Sequence, residues 1–368
     1  MKNIIVIILL LFIAKMKVDA QERSFAIEGC IPRMKDGIIV CLISSEADEN
    51  QVIVEDTVRN GCFKLTGRVE HPTLCCLTTN NLNILSPEEI EKGQNIKWTY
   101  TTIFVDNVPM NFEAESYGNV PVDVPIGKNF KVTGGSVQSD YNEYNLMLLA
   151  EAEKDKEVND SILHNLQLKF IHSHPSSTVS VMLANDMLQI GYRLHKEQII
   201  ELEKAIVSAP EDPKRFAEFQ KNCQIAKRSA VSSSIVNLSL NDINGKSCNL
   251  IDVVPKGKYV LIDFWASWCG ICLEGIPEIK NIAKQHPDDF IVVGISADTK
   301  IQAWKDSIKK EGLTWKQYIL TPQGLKDFSA KYLTRGVPYY LIVNPQGNVI
   351  NAPEHPENIK NQIDTLCK

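Results

Sequence analysis

The sequence predicts a chain in three parts: an all-β N-terminal domain, a helical connector, and an α/β C-terminal domain on a mostly parallel sheet. Three observations carry this. Residues 24–136 hold short runs rich in Val, Ile, Leu and Thr, separated by turn signals such as Lys35-Asp36-Gly37, Arg59-Asn60-Gly61 and Gly134-Gly135. Such punctuation marks a sandwich or barrel. Residues 140–232 shift to Leu, Ala, Glu, Lys and Gln at helical spacing, and from about Val236 strand-like and helix-like segments alternate. At 368 residues the chain has room for two or three domains. Its net charge of −6 gives no nucleic-acid footprint.

The first twenty residues read as a secretory signal peptide. Met1-Lys2 leads an apolar run from Ile4 to Ala14, and Val18-Asp19-Ala20 places a small residue before Gln21. The run is short for a membrane span, although Lys15 and Lys17 behind it are compatible with a retained anchor. No Cys follows the cleavage point, so a lipoprotein anchor is not expected. The expected address is the periplasm or cell envelope.

The β domain is assigned to 22–136. Of the ten cysteines, Cys30, Cys41, Cys62, Cys75 and Cys76 fall in or near its apolar runs. They are expected to pack unpaired as small hydrophobes. Adjacent Cys75 and Cys76 would point to opposite faces of a strand and could not bond to each other. No titratable cluster in this domain suggests chemistry, which leaves docking or recognition as its expected role.

The connector, 140–232, shows helical patterns at 144–157, 160–172 and 198–208, joined by turns at Pro175, Pro210 and Pro213. His172-Ser173-His174-Pro175 invites a metal reading. Neighbours two apart do not share a helix face, however, and no carboxylate or Cys pattern completes a ligand set. A loop followed by a helix capped by Ser176 or Ser177 explains the segment better. No metal and no cofactor is expected anywhere in the chain.

In the last part, 236–368, strands are expected at 259–264, 290–295, 317–320 and 339–343, and helices at 270–285, 300–311, 324–332 and 356–366. The final strand pair turns through Pro345-Gln346-Gly347-Asn348, and 238–250 supplies an extra hairpin. Trp268-Cys269-Gly270-Ile271-Cys272 lies between the first of these strands and the first helix. Half a zinc ribbon has the same spacing but needs a second Cys pair, and this chain has no other C-x-x-C. Two thiols three apart at a helix start make a redox pair. Unpaired N–H groups and the helix dipole favour an anion at the first, so Cys269 is the expected nucleophile. Cys272, one turn on and shielded, is the resolving thiol. Asp263 lies inside Val260-Leu261-Ile262-Asp263-Phe264-Trp265, where a charge is costly unless it has chemical work.

The stretch from Asp263 to Cys272 resembles the active-site segment of the thioredoxin superfamily, and Arg335-Gly336-Val337-Pro338-Tyr339 resembles the segment that carries the family's cis-proline. The resemblance implies that Asp263 moves protons during resolution and that Pro277 kinks the first long helix. It implies a cis bond before Pro338, so that the backbone of Val337 pairs with an extended substrate. Trp268 would shape the exposed lip, Trp265 would pack inside, and Tyr339 would line the substrate groove. The last third of the chain is similar to the TlpA-like and ResA-like branch. Phe25-Ala26-Ile27-Glu28-Gly29 and 60–67 resemble the DUF4369-type β domain that precedes such modules in some envelope proteins.

That branch often carries Glu three residues after the second Cys, whereas here Gly275 stands there with Glu274 one step earlier. Glu274 is therefore given no catalytic role. Ile271 replaces the commoner proline between the thiols. The resemblance implies an exported thiol-disulfide oxidoreductase that reduces or isomerises protein disulfides and draws electrons from a membrane thiol donor. A rival is an envelope binding protein whose β domain recognises a partner while the thioredoxin-like domain docks it; two intact cysteines argue against a retired site. A peroxidase of this fold needs Thr-x-x-Cys, and Ala266 occupies the Thr position.

Overall fold

The computed structural model describes residues 24–45, 51–120, 130–154, 160–189, 194–334, 336–353 and 356–367. The signal peptide expected at 1–20 and Arg335 lie outside them. The chain forms two compact units. The first comprises the described residues up to Phe170, with Ser177–Val179 and Pro210–Asp212; the second comprises the remainder.

Eight strands build the first unit: Phe25–Cys30 (β1), Ile39–Ser44 (β2), Gln51–Thr57 (β3), Cys62–Gly67 (β4), Thr73–Asn80 (β5), Trp98–Val105 (β6), Pro109–Ala114 (β7) and Phe130–Thr133 (β8). They form two four-stranded sheets, ordered β4-β1-β7-β8 and β3-β2-β5-β6. Alternation decides which side chains turn inward. On β4, Phe63 and Leu65 are buried while Lys64 and Thr66 face water. Phe25, Ile27, Leu65 and Phe112 from one sheet and Val40, Leu42, Leu77 and Ile103 from the other share a single core. One feature corrects the all-β expectation for 22–136. A short helix Pro87–Glu91 (α1) opens with a capping box between Ser86 and Glu89. A longer helix, Ser136–Ala152 (α2), packs on β6, where Gln138 Oε1 accepts the Phe104 N–H at 2.7 Å.

The cysteine expectation needs a second correction, because Cys30 and Cys62 are joined in a disulfide. They are register partners in the antiparallel β1/β4 ladder. The N–H and C=O of Cys62 both pair with Arg59 on the far side. The two cysteines therefore form a pair without ladder hydrogen bonds, the kind whose side chains approach most closely. Cys41, Cys75 and Cys76 are thiols outside any disulfide; Cys75 lies in the core and Cys76 on the other face of β5.

The helices of 140–232 divide between the two units. Asp160–Ser173 (α3) spans the boundary, and the second unit takes nearly all of Thr178–Gln189 (α4), with Lys196–Ala205 (α5) and Pro213–Ser229 (α6). At the start of α4, Ser177 Oγ accepts the Val179 N–H at 3.2 Å. Past α6, Ser232 N–H donates to Val349 and Val349 N–H donates to Ser233, both at 2.8 Å, which ties the helical segment to the sheet that follows.

That sheet has seven strands: Ser239–Asp242 (β9), Ser247–Asn249 (β10), Tyr259–Trp265 (β11), Phe290–Ser296 (β12), Lys316–Leu320 (β13), Tyr339–Val343 (β14) and Val349–Asn351 (β15), ordered β10-β9-β13-β12-β11-β14-β15. Only the central β11, β12 and β13 run parallel. The flanking strands pair antiparallel, which corrects the expectation of a mostly parallel sheet. The helices are Leu250–Val253 (α7), Gly270–Gln285 (α8), Ile301–Glu311 (α9), Pro322–Tyr332 (α10) and Pro356–Leu366 (α11). Side chains alternate along β11. Val260, Ile262 and Phe264 enter one core with Phe328, while Leu261 and Trp265 meet α8 on the opposite face.

Candidate active site

The site begins with β11, a run of β-branched and aromatic residues that is buried because it is central, with β12 on one side and β14 on the other. By alternation Asp263 falls between Leu261 and Trp265, on the face that α8 covers. It is almost fully buried, and that burial pushes its carboxyl up from the ordinary range to about 7. Its register partners are Gly294 on β12 and Tyr340 on β14. Burial, and then the neighbouring Asp263 charge, push the Tyr340 hydroxyl well up.

β11 ends at Trp265, and the chain turns through Ala266–Cys269, with Cys269 N–H donating to Ala266 at 3.1 Å. Asp298 holds this turn. Ser267 donates to it twice, from its N–H at 2.9 Å and from its hydroxyl at 2.6 Å, and Ser296 Oγ donates to it at 2.8 Å. Sequence reasoning missed Asp298. A carboxylate just past the carboxyl end of a parallel strand was its one available signal, since sites on open α/β sheets gather there.

Cys269 is the N-cap of α8, and its Sγ accepts the Cys272 N–H at 3.2 Å. The two cysteines are joined in a disulfide with S–S 2.03 Å. Cys272 is the more enclosed, 2 % exposed against 7 % for Cys269. Cys272, Gly275, Ile276, Ile279 and Ile282 form the buried stripe of α8 at intervals of three and four, with Pro277 inside the helix. Gly275 is required where it stands, because a Cβ there would lie 2.6 Å from Pro356 Cγ and 3.3 Å from the Tyr340 hydroxyl. Glu274, one step away, is exposed.

Around the sulfurs, Trp268 is 68 % exposed and Ile271 62 % exposed, so two large apolar side chains stand in water on either side of Cys269. The Val337–Pro338 bond is cis, and the Val337 carbonyl oxygen lies 3.7 Å from Cys269 Sγ. Val337 and Pro338 are both half-buried. Tyr339 departs from the expectation that it lines a substrate groove. As the register partner of Phe264 it points to the opposite face, where it packs edge-on against Phe264, Phe328 and Tyr332. The structure thus brings together Asp263, Trp268, Cys269, Cys272, Val337 and Pro338, and removes Tyr339 from the group. Among the described residues no three of His, Cys, Asp and Glu gather as a metal site.

A thioredoxin-like family model matches residues 257–349. The chain is 27% identical over 134 residues to the thiol-disulfide oxidoreductase ResA of Bacillus subtilis, covering 36% of this chain and 72% of that one. It is 30% identical over 122 residues to an uncharacterized protein of Haemophilus influenzae, covering 32% of this chain and 76% of the other. Among solved structures, the thioredoxin domain of a thiol-disulfide oxidoreductase from Bacteroides vulgatus is 28% identical; the alignment covers 38% of this chain and 99% of that domain, with a TM-score of 0.35. From the family match at 257–349 and the similarity to ResA, the C-terminal part of the chain is a thioredoxin-like domain, and the protein is a thiol-disulfide oxidoreductase of that type.

Proposed function

We propose that the protein is an exported enzyme that reduces or isomerises disulfides of other proteins through the Cys269-Gly270-Ile271-Cys272 pair, in the periplasm or cell envelope. The observation that carries this reading is the Cys269–Cys272 pair at the head of α8, with the Val337 carbonyl beside Cys269 and Asp263 buried on the face beneath. In the reduced enzyme the Cys269 thiolate, favoured by the Cys272 N–H and the helix dipole, attacks one sulfur of a substrate disulfide. The substrate's other sulfur leaves as a thiolate and takes up a proton. Asp263 then accepts the Cys272 proton, and Cys272 attacks Cys269 Sγ. The second substrate thiol departs, and the enzyme is left oxidised as Cys269–Cys272. Two electrons have passed to the substrate. A carboxyl held near 7 can both accept and return a proton close to neutrality, which suits it to this step.

Trp268 and Ile271 form the apolar rim against which an extended substrate segment would lie, with the Val337 backbone pairing to it. Regeneration requires an external dithiol, which we assign to a membrane thiol donor. The DUF4369-type first unit would serve recognition. The test is insulin reduction with a thiol donor, comparing wild type with Cys269→Ser. Loss of turnover by at least about a hundredfold is expected, and equal turnover in the two proteins would sink the proposal.

A further inference from the structure

Asp263, Gly294, Gln317 and Tyr340 form one register row across β14, β11, β12 and β13, so their side-chain positions share one face of the sheet. The row contains a gap at Gly294, and the Gln317 amide fills it. A Cβ built on Gly294 would lie 2.3 Å from Gln317 Oε1, 2.5 Å from Nε2 and 2.6 Å from Cδ. The amide therefore reaches back over β12 toward the strand that carries Asp263, whose backbone is one strand spacing, about 4.8 Å, beyond Gly294.

The orientation of this amide is fixed by chemistry. Trp265 Nε1 can only donate, and it donates to Gln317 Oε1 at 3.0 Å. The NH2 group must then occupy the other position. Gln317 is 8 % exposed, and its Nε2 is buried with no hydrogen-bond partner among the described residues. A buried donor left unpaired costs free energy, and such groups in native proteins call for a physical explanation.

We propose that Gln317 is a positioning residue for Asp263: its unpaired amide donor stabilises the ionised carboxylate during resolution, while its carbonyl anchors Trp265. The inference rests on the proton role proposed for Asp263. It gives that role a neutral partner, one that favours the anion without adding a competing charge. Gly294 is the condition for it, because any side chain there would evict the amide. The other neighbours of Asp263 are Tyr340 on β14, whose hydroxyl titrates far above neutrality, and α8, whose Cys269 and Cys272 do not titrate while they are oxidised. On the same face Trp265, Trp304 of α9 and Ile319 form an apolar cluster with the two cysteines.

The test follows Asp263 directly. Carboxyl 13C resonances of the full-length oxidised protein, assigned by their disappearance in Asp263→Asn, are titrated in wild type, Gln317→Met and Gln317→Glu. Gln317→Met removes the donor and should raise the Asp263 midpoint by about one pH unit or more. Gln317→Glu keeps an acceptor for Trp265 but loses the donor and adds a like charge, and should raise the midpoint further. Gly294→Ala should match Gln317→Met by displacing the amide. An unchanged midpoint in Gln317→Met overturns the inference whatever its activity and whatever Gln317→Glu does, because the added charge of the glutamate moves the midpoint by itself. Stopped-flow release of a mixed disulfide separates the two layers. If Asp263→Asn resolves it at the wild-type rate and with the wild-type pH profile, the proton role fails; if only the Gln317 variants do so while the midpoint still moves, the inference stands.

Discussion

Among the described residues there are two disulfides, one in each unit, and their settings differ. Cys30 and Cys62 are 32 residues apart and meet across an antiparallel ladder. Cys269 and Cys272 are three apart in the first turn of a helix. The first pair bridges two register partners of the β1/β4 ladder, with Cys62 hydrogen-bonded to its own turn at Arg59. The second has a helix N-terminus and the Cys272 N–H aimed at one sulfur, and a buried carboxyl on the strand below. The comparison teaches that the bond itself does not make a redox centre. A nearby anion-stabilising site and a proton acceptor do.

Paired serine substitutions give the sharpest contrast. Cys269→Ser/Cys272→Ser should abolish insulin reduction, whereas Cys30→Ser/Cys62→Ser should leave turnover within about twofold. The second pair should instead lower stability by about 3–4 kcal/mol in urea unfolding followed by circular dichroism, the closure entropy of a loop of this length. A large activity loss in the Cys30/Cys62 variant would erase the distinction.

Asp263→Asn offers the next largest effect, with a defined pH dependence. The folded state holds the Asp263 proton more tightly than the unfolded chain, with a midpoint near 7 against 3.8. Ionising it therefore opposes folding: the penalty is absent below about pH 4, grows between 4 and 7, and is constant above. Asparagine carries no such penalty. Its stability advantage over wild type should rise through that window to as much as about 4 kcal/mol, read as the difference in thermal midpoint between pH 4 and pH 8. Its resolving step should slow by about 10- to 100-fold.

The smallest effect concerns the turn before Cys269. Asp298→Ala leaves the Ser267 N–H and hydroxyl without their acceptor. It should cost about 1–3 kcal/mol and a several-fold loss in kcat/KM, while Asp298→Asn, which can still accept one of these bonds, should recover part of both. Urea unfolding and insulin kinetics on the two variants give the comparison.

What was legible in the sequence follows from range of interaction. The α8 bounds, the strand at Tyr339–Val343 and the Cys269–Cys272 pair are encoded in short stretches, where periodicity and local chemistry agree. Asp263 stood out because one charge interrupted an apolar run. Tyr339 was misplaced because its neighbour Pro338 belongs to the site, and only strand alternation decides that the next side chain faces away. Gln317 and Asp298 were overlooked because each meets the site through a partner 52 or 31 residues away, Trp265 and Ser267.

The amino-acid order alone determined a helix-capping dithiol, a charge set in a hydrophobic strand, and the change from β to helical to alternating patterns. These are properties of neighbours along the chain, which spacing and side-chain type express without reference to the rest of the molecule. Folding in three dimensions decided which cysteines bridge across β1 and β4, that only the centre of the second sheet is parallel, and which three residues share a row with Asp263. Those outcomes depend on strand register, which pairs residues far apart in sequence through backbone hydrogen bonds common to all residue types but proline, so no local signal announces them.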